Sequence, residues 1–400
     1  MSKTTKNQRA ERLKIFSEQL TLLNLFNAYF DCRRNKRNTI NALTFEFELE
    51  LNLMKLYSEL KEGTYTIGKS ICFIVTDPKY REVWAADFRD RIVHHLVYNA
   101  VKDRFYNRFV HDTFSCIPKK GTLHACKRLQ HYAKSATSNY TKKSYYLKAD
   151  IANFFVSIDK AILFEELKRY IPEDWIISLI EQIIYNDPRQ KAIIQSEPKL
   201  FQLLPAKKSL WNTPNSHGLP IGNLTSQFFS NVYLNLLDQF IKHELKCKYY
   251  CRYVDDFVIL HDDPKQLNEW YDKIDQFLKN RLKLKLHPHK KSINTVFSGI
   301  DFVGFIIKPA RMYLRKKTIN KAFYTVKKWG NNSDRLNGKT LKSFRATMNS
   351  YLGMLRQTKG YNIRKALCYK INNLFIHSDE DYSKLLLPCT DLPVRTAVRL

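Results

Sequence analysis

Two adjacent aspartates, Asp255 and Asp256, lie in the middle of an apolar stretch with the sequence YYCRYVDDFVIL. The flanking residues are strand formers and predict a buried β-hairpin, an environment in which aspartate is disfavoured. Burying two carboxylates without a compensating cation is costly in free energy. Either the pair binds a metal ion, or it belongs to a tight turn whose hydrogen bonds satisfy both carboxylates.

A third carboxylate favours the metal. Asp150 ends another strand-like run, in the sequence LKADIANFF. If the two strands are neighbours, the three aspartates converge, and oxygen ligands of this kind select Mg²⁺ rather than zinc. Two such ions ~3.5–4 Å apart can bind the attacking and leaving oxygens of an in-line phosphoryl displacement. The pattern therefore predicts a phosphoryl-transfer site.

The charge of the chain indicates its partner. The sequence has 67 lysines and arginines against 38 aspartates and glutamates, a net charge of +29 over 400 residues. This excess predicts a polyanionic partner, nucleic acid before an anionic membrane surface. No apolar run approaches the ~18 residues of a membrane-spanning helix. The N-terminus lacks the apolar core of a signal peptide, so we expect a cytoplasmic protein without membrane association.

Basic side chains cluster at three places outside the aspartates. One cluster follows the first predicted helix, a second lies at the turn of a predicted hairpin, and a third opens a helical, basic C-terminal region after residue 309. Solvated helix ends and turns are the alternative to phosphate contacts for these cations. Residues 185–217 contain four prolines and predict an irregular insertion.

The order of these motifs resembles that of reverse transcriptases. Asp150 in its strand, the loop GLPIGNLTSQ before a helix, and YVDD are similar to motifs A, B and C. PKYREVWAADFRDRIVHH is similar to the fingers motif and the segment after it, LKLKLHPHKKS to motif D, and GIDFVGF to motif E, the primer grip. The resemblance covers most of the chain, with six motifs in the expected order.

The resemblance implies an α+β right-hand polymerase with fingers, a ferredoxin-like palm built on an antiparallel sheet, and a helical thumb. The implied divisions are an N-terminal helical extension at 1–64, fingers at 65–143, a palm at 144–308 with the insertion at about 185–217, and a thumb at 309–400. No endonuclease or RNase H domain is expected within this length.

The resemblance also implies the metal site. Asp150, Asp255 and Asp256 match the catalytic residues and metal ligands, and Ile151 matches a residue that offers its backbone carbonyl. Two Mg²⁺ ions are implied, with Mn²⁺ as a possible substitute.

A second implied set binds the incoming dNTP. Phe155 matches the aromatic gate that excludes a ribose 2′-hydroxyl, although core packing is the alternative, since Phe154 is equally bulky. The motif D lysine, which can protonate the departing pyrophosphate, is Lys290 or Lys291. The full set is Lys79, Arg81, Phe155, Ile221, Gly222, Gln227 and Lys290.

A third implied set contacts template RNA and the cDNA primer. It comprises the N-terminal cations Arg33, Arg34, Lys36 and Arg37, the primer-grip Gly304, and the thumb cations Arg315, Lys316 and Lys317. Contacts of this kind to the phosphate backbone read no sequence.

The loop Ile221-Gly222-Asn223-Leu224-Thr225-Ser226-Gln227 is similar to that of diversity-generating retroelement enzymes. Most reverse transcriptases have glutamine where this chain has Ile221, and isoleucine offers dispersion contacts instead of hydrogen bonds around the nascent base pair. Loop packing is the alternative role for Ile221. The resemblance implies error-prone copying at template adenines for mutagenic retrohoming, a structured template RNA, a small oligomeric accessory variability protein, and a bacterial or phage origin.

Three other functions are alternatives to this one. A phage-defence or group II intron-like reverse transcriptase shares much of the pattern. An RNA-binding protein on an inactive polymerase fold conflicts with the intact aspartate set, and an RNA-dependent RNA polymerase conflicts with Phe155.

Overall fold

The structure is a computed structural model, and it describes residues 20–34, 36–77, 79–330, 338–372 and 377–386. Parts of the predicted N-terminal extension and thumb lie outside the described residues. The chain divides into two compact units, each assembled from three segments. Unit 1 comprises Met1–Gly121, Lys148–Phe257 and Asn268–Lys291, and unit 2 comprises Thr122–Leu147, Val258–Leu267 and Ser292–Leu400.

Unit 1 begins with helices and a hairpin. These elements are α1 (Leu22–Arg33), α2 (Ile40–Phe47), α3 (Leu49–Glu62), β1 (Ser70–Val75), β2 (Arg81–Ala86) and α4 (Phe88–Tyr106). The Thr21 hydroxyl accepts the Asn24 N–H and caps α1. Gly63, with a φ of 69°, ends α3 in the left-handed conformation that glycine adopts without strain. Helices α1 and α2 pack on α4, where the ring of Tyr29 meets that of Phe88 edge-on.

The insertion predicted as irregular contains regular structure. Its elements are β4 (Ala192–Ile194), α9 (Pro198–Gln202) and two 3₁₀ turns, Ala206–Lys208 and Leu210–Asn212. Strand β4 pairs in parallel with β1, giving a sheet of order β2-β1-β4. The buried Glu82 of β2 fixes the 3₁₀ turns, because its carboxylate accepts from the Leu210 N–H at 2.8 Å and from the Ser209 hydroxyl. A three-residue strand is too short to show the alternation that predicts strands.

The next elements carry the predicted motifs A to C. They are β3 (Tyr145–Asp150), α6 (Phe154–Ser157), α7 (Lys160–Lys168), α8 (Asp174–Tyr185), α10 (Leu224–Gln239), β5 (Tyr249–Tyr253), β6 (Asp256–His261) and α11 (Pro264–Leu282). Asp159 caps α7 by accepting the N–H groups of Ala161 and Ile162. Helix α10 is buried along most of its length and packs against α4 and α7. A four-stranded sheet has the order β5-β6-β3-β7, where β7 is Ser292–Thr295.

Unit 2 combines small sheets with helices. Its further elements are α5 (Thr122–Ala136), β8 (Ile300–Phe302), β9 (Phe305–Ile307), β10 (Met312–Leu314), α12 (Lys316–Gly330), α13 (Gly338–Arg356), α14 (Tyr361–Asn372), β11 (His377–Ser378) and β12 (Leu385–Leu386). Strands β8, β9 and β10 form an antiparallel sheet.

Mixed helices and antiparallel sheets agree with the predicted α+β class. The division into fingers, palm and thumb stays a prediction. Within the described part of the chain, no helix combines the length and apolarity that crossing a bilayer requires.

Candidate active site

Backbone hydrogen bonds bring the end of β3 to the turn between β5 and β6. The N–H of Ile151 donates to the carbonyl of Asp255 at 3.2 Å. On the other side, the carbonyl of Asp150 accepts from the His287 N–H at 2.7 Å, and the Ala152 N–H donates to the Lys285 carbonyl at 2.9 Å. Residues 150–152 are therefore held between the YVDD turn and the segment that resembles motif D.

The negative charge of Asp150 acts on the carboxylate of Asp255. Asp150 is 7% exposed, and Asp255 is partly buried. Burial raises the pKa of Asp255 to about 6, and the negative charge of Asp150 is the next contribution. A cation bound beside Asp255 would stabilise its ionised form, which burial and the neighbouring negative charge disfavour.

One of the two lysines that resemble motif D approaches Asp150. Nζ of Lys290 lies 2.7 Å from Oδ2 of Asp150, whereas Nζ of Lys291 lies 4.0 Å from the ring centroid of Tyr271. The structure thus brings Lys290, and not Lys291, to Asp150.

Lys148 is a neighbour of the site that the sequence did not indicate. Its Nζ lies 3.9 Å from Oδ1 of Asp256. A signal was present, because Lys148 stands two residues before Asp150 in β3 and alternation places both on one face of the strand.

The donors fit a hard cation. Asp150 and Asp255 offer carboxylate oxygens whose mutual repulsion a divalent ion offsets, and such ligands suit Mg²⁺ or Mn²⁺. Among the residues that the structure describes, no group of three or more His, Cys, Asp and Glu side chains could hold a metal ion. Asp256 and the Ile151 carbonyl stay predicted as further ligands.

The loop that resembles motif B lies against β2. The Trp84 N–H donates to the Ile221 carbonyl at 2.7 Å, and the Ala86 N–H donates to Oδ1 of Asn223 at 3.0 Å. Gly222 has a φ of +132°, and a Cβ at this position would lie 2.7 Å from the Trp84 carbonyl oxygen. Glycine is therefore required by both the backbone conformation and the close approach.

The two phenylalanines after β3 have different environments. Phe154 is 3% exposed and belongs to the core, whereas Phe155 is only partly buried. The Phe155 carbonyl accepts from the Leu219 N–H at 2.8 Å, which ties α6 to the start of the motif B loop. Further along, Oε1 of Gln227 lies 3.4 Å from Sγ of Cys116.

The predicted basic contacts are mostly exposed. Lys79 and Arg81 are exposed beside the β1–β2 connection, and Lys36 and Arg37 are exposed after α1. Arg33 instead pairs with Glu46 at 2.5 Å. Arg34 forms an ion pair with Asp31 at 3.0 Å.

The predicted contacts in unit 2 lie around β8–β10 and the start of α12. Arg315 pairs with Asp301, and Lys316 and Lys317 are exposed at the start of α12. Gly304 has a φ of +98° and open space where a Cβ would stand.

A family model and a bacterial protein match parts of this chain. The family model for "Reverse transcriptase (RNA-dependent DNA polymerase)" matches residues 75–307. The chain is similar to Protein YkfC of Escherichia coli strain K12, with 20% identity over 299 residues that cover 66% of this chain and 73% of that protein.

Two solved telomerase structures are also similar. One is telomerase from Candida albicans in complex with a fragment of telomeric RNA, with a TM-score of 0.45, 11% identity, and coverage of 77% of this chain and 55% of that one. The other is apo telomerase from Candida tropicalis truncated from its C-terminal domain, with a TM-score of 0.44, 12% identity, and coverage of 63% and 55%. This chain thus spans about half the length of either telomerase chain. Because the family model covers more than half of the sequence and includes Asp150, Asp255 and Asp256, the chain belongs to the reverse transcriptase family.

Proposed function

We propose that this protein is an RNA-directed DNA polymerase that copies a template RNA into cDNA. The observation that carries the proposal is the 3.2 Å hydrogen bond from the Ile151 N–H to the Asp255 carbonyl, which holds Asp150 and Asp255 side by side. Both residues lie within the part of the chain that matches the family. Such a pair suits nucleotidyl transfer, because it would hold divalent cations, and these would stabilise the negative charge that develops on the attacking and leaving oxygens.

In this proposal Asp150 and Asp255, with Asp256 and the Ile151 carbonyl, hold two Mg²⁺ ions, for which Mn²⁺ can substitute. The chemistry that the bound ions supply is stabilisation of the attacking and leaving oxygens. The 2.7 Å distance from Lys290 Nζ to Asp150 Oδ2 supports Lys290 as the proton donor to the departing pyrophosphate. The exposed Lys79 and Arg81 bind the triphosphate of the incoming dNTP.

The partial exposure of Phe155 supports its role as the gate. A ring that is not needed to fill the core is available to contact the sugar of the nucleotide, and a 2′-hydroxyl would clash with it. Phe154 supplies the core packing instead, at 3% exposure. The enzyme therefore selects dNTPs over rNTPs.

We further propose that the enzyme belongs to a diversity-generating retroelement. The sequence from Ile221 to Gln227 supports this type, and the hydrogen bond between Trp84 and Ile221 gives the loop a defined position. In this role the enzyme copies a structured template RNA, makes errors opposite adenines, and works with a small oligomeric accessory protein. The exposed cations Lys36, Arg37, Lys316 and Lys317 contact the template RNA and the cDNA primer.

Primer extension tests the polymerase. Wild-type protein is incubated with a primed heteropolymeric RNA, dNTPs and Mg²⁺, and compared with a variant carrying Asp255→Ala and Asp256→Ala. We expect cDNA from the wild type, none from the variant, and similar RNA binding by both. The matched control changes Asp262→Ala and Asp263→Ala, another adjacent pair, which is exposed. Synthesis by the Asp255 and Asp256 variant would contradict the site assignment.

Sequencing the cDNA tests the retroelement type. We expect errors concentrated opposite template adenines, and fewer of them in an Ile221→Gln variant that still makes cDNA. Ile221→Val is the control, since it preserves an apolar side chain. An adenine error rate that Ile221→Gln leaves unchanged would remove Ile221 from the proposal. Accurate copying by the wild type would favour the phage-defence or group II intron-like alternative.

A further inference from the structure

A fully buried ion pair lies behind the YVDD turn. Arg252 of β5 and Asp238 of α10 are both 0% exposed. Nη2 of Arg252 lies 2.6 Å from Oδ2 of Asp238, and Nε lies 2.7 Å from Oδ1. The Tyr250 hydroxyl and the Thr113 hydroxyl also donate to this carboxylate, at 2.6 and 2.8 Å. Burying an ion pair often brings no net stability, so its presence calls for another explanation.

The third arm of the guanidinium points at the turn itself. Nη1 of Arg252 donates to the carbonyl of Val254 at 2.8 Å. Val254 has a φ of 57°, in the left-handed region that β-branched residues avoid. It is the first residue of a two-residue hairpin turn, a position that normally takes glycine, asparagine or aspartate. Arg252 therefore stabilises a backbone conformation that Val254 does not favour.

The second residue of this turn is Asp255. The peptide group before Asp255 contains the Val254 carbonyl, which accepts a hydrogen bond from Arg252. The peptide group after Asp255 contains the Asp255 carbonyl, which accepts from the Ile151 N–H. Asp255 is thus held at both of its peptide groups. One bond comes from the residue after Asp150 and the other from the buried ion pair.

We propose that Arg252, oriented by Asp238, is a positioning residue that sets the direction of the Asp255 carboxylate relative to Asp150, and so governs divalent-cation binding and the rate of nucleotidyl transfer. The inference rests on the proposed polymerase function. The proposed positioning requires the planar guanidinium group, because Nε and Nη2 donate to the Asp238 carboxylate while Nη1 donates to the Val254 carbonyl. A lysine ammonium keeps the charge but not this geometry.

Arg252→Lys tests the inference, because it leaves no buried carboxylate without a cation. The matched control is Arg189→Lys in the same unit. The guanidinium of Arg189 likewise binds a carboxylate, with Nε 2.7 Å from Oδ1 of Asp187, and a carbonyl, that of Thr213 at 2.7 Å. Each protein is measured by thermal unfolding, by calorimetric titration with Mn²⁺ in the absence of nucleotide, and by primer extension for kcat and the KM for dNTP.

We expect Arg252→Lys to fold and to lose about 10–100-fold in both Mn²⁺ affinity and kcat, the range typical of residues that orient metal ligands. The KM for dNTP should change much less. Arg189→Lys should lose stability while its Mn²⁺ affinity and kcat stay near wild type. Wild-type Mn²⁺ affinity and kcat in Arg252→Lys would overturn the inference.

A double variant, Arg252→Met with Asp238→Leu, separates positioning from stability. Removing both charges together avoids an unpaired buried charge. We expect a folded protein that still binds Mn²⁺ weakly and extends primers slowly. Full recovery of both properties, or loss of the folded state in both Arg252 variants, would overturn the inference by showing that the pair is only structural. A wild-type protein that binds Mn²⁺ but makes no cDNA would instead contradict the polymerase function.

Discussion

Nζ of Lys290 and Oδ2 of Asp150 lie 2.7 Å apart, while the next side chain, Lys291, turns to the ring of Tyr271. Two consecutive lysines therefore have different chemical environments. One contacts a carboxylate of the candidate active site, and the other contacts an aromatic ring on α11.

The first prediction compares these lysines. Lys290→Ala should lower kcat for single-nucleotide incorporation by about 100-fold, the lower part of the range for a lost general acid. Lys291→Ala should stay close to wild type, because its ammonium faces Tyr271. Rapid-quench measurement at saturating dNTP gives both values. Equal losses in the two variants would contradict the assignment of Lys290.

The second prediction concerns sugar selection. Phe155→Ala should raise the ratio of rNTP to dNTP incorporation at least about tenfold, since the space for a 2′-hydroxyl opens. Competition assays with matched rNTP and dNTP measure this ratio. Phe154→Ala is the contrasting change, which should cost about 3–5 kcal/mol of stability because Phe154 is buried. If Phe155→Ala keeps the wild-type ratio, Phe155 is not the gate.

The third prediction concerns Gly222. Gly222→Ala places a Cβ 2.7 Å from the Trp84 carbonyl oxygen at a φ of +132°, and should cost about 1–3 kcal/mol of stability. Gly353→Ala in α13 has nothing within 4 Å of the added atom and should gain about 0.5–1 kcal/mol. Denaturant unfolding of both variants measures these changes. A neutral Gly222→Ala would show that the loop can move away from β2.

The fourth prediction is a pH dependence of stability. Nδ1 of the buried His94 lies 2.6 Å from the Thr225 hydroxyl, and burial lowers the pKa of His94 from 6.5 to about 3. The unfolded chain binds a proton below pH 6.5 while the folded chain does not. This contribution to stability is present above pH 6.5 and is lost as the pH falls towards 3.

Urea unfolding between pH 7 and pH 4.5 measures the effect. Relative to His94→Gln, the wild type should lose about 1.4 kcal/mol more per pH unit in the range where only the unfolded histidine is charged. The difference between the two proteins is needed, because the raised pKa of Asp255 acts in the opposite direction. Identical pH profiles would show that His94 is protonated in the folded protein.

The sequence predicted the residue types of the candidate site, but it did not predict the contacts that hold these residues in place. Strand alternation and the run of apolar residues predicted β1, β2, the hairpin around Asp255 and a strand ending at Asp150, whereas the adjacency of these last two was only a condition of the metal-site prediction. Arg252 also lies inside that apolar hairpin, and its buried partner is Asp238 on α10, which no spacing rule indicates. The choice between Lys290 and Lys291 depends on side-chain direction in an irregular segment, which periodicity does not specify.

Strand β4 was not predicted from the sequence, and its distance along the chain from β1 has a consequence for synthesis of the protein. Ser70 of β1 is paired with Ala192 of β4, so β1 leaves the ribosome long before its parallel neighbour exists. At about 5–20 residues per second the delay is on the order of ten seconds. During that time the nascent chain exposes one unpaired edge of β1, and any factor that slows translation between the two strands prolongs its exposure to aggregation.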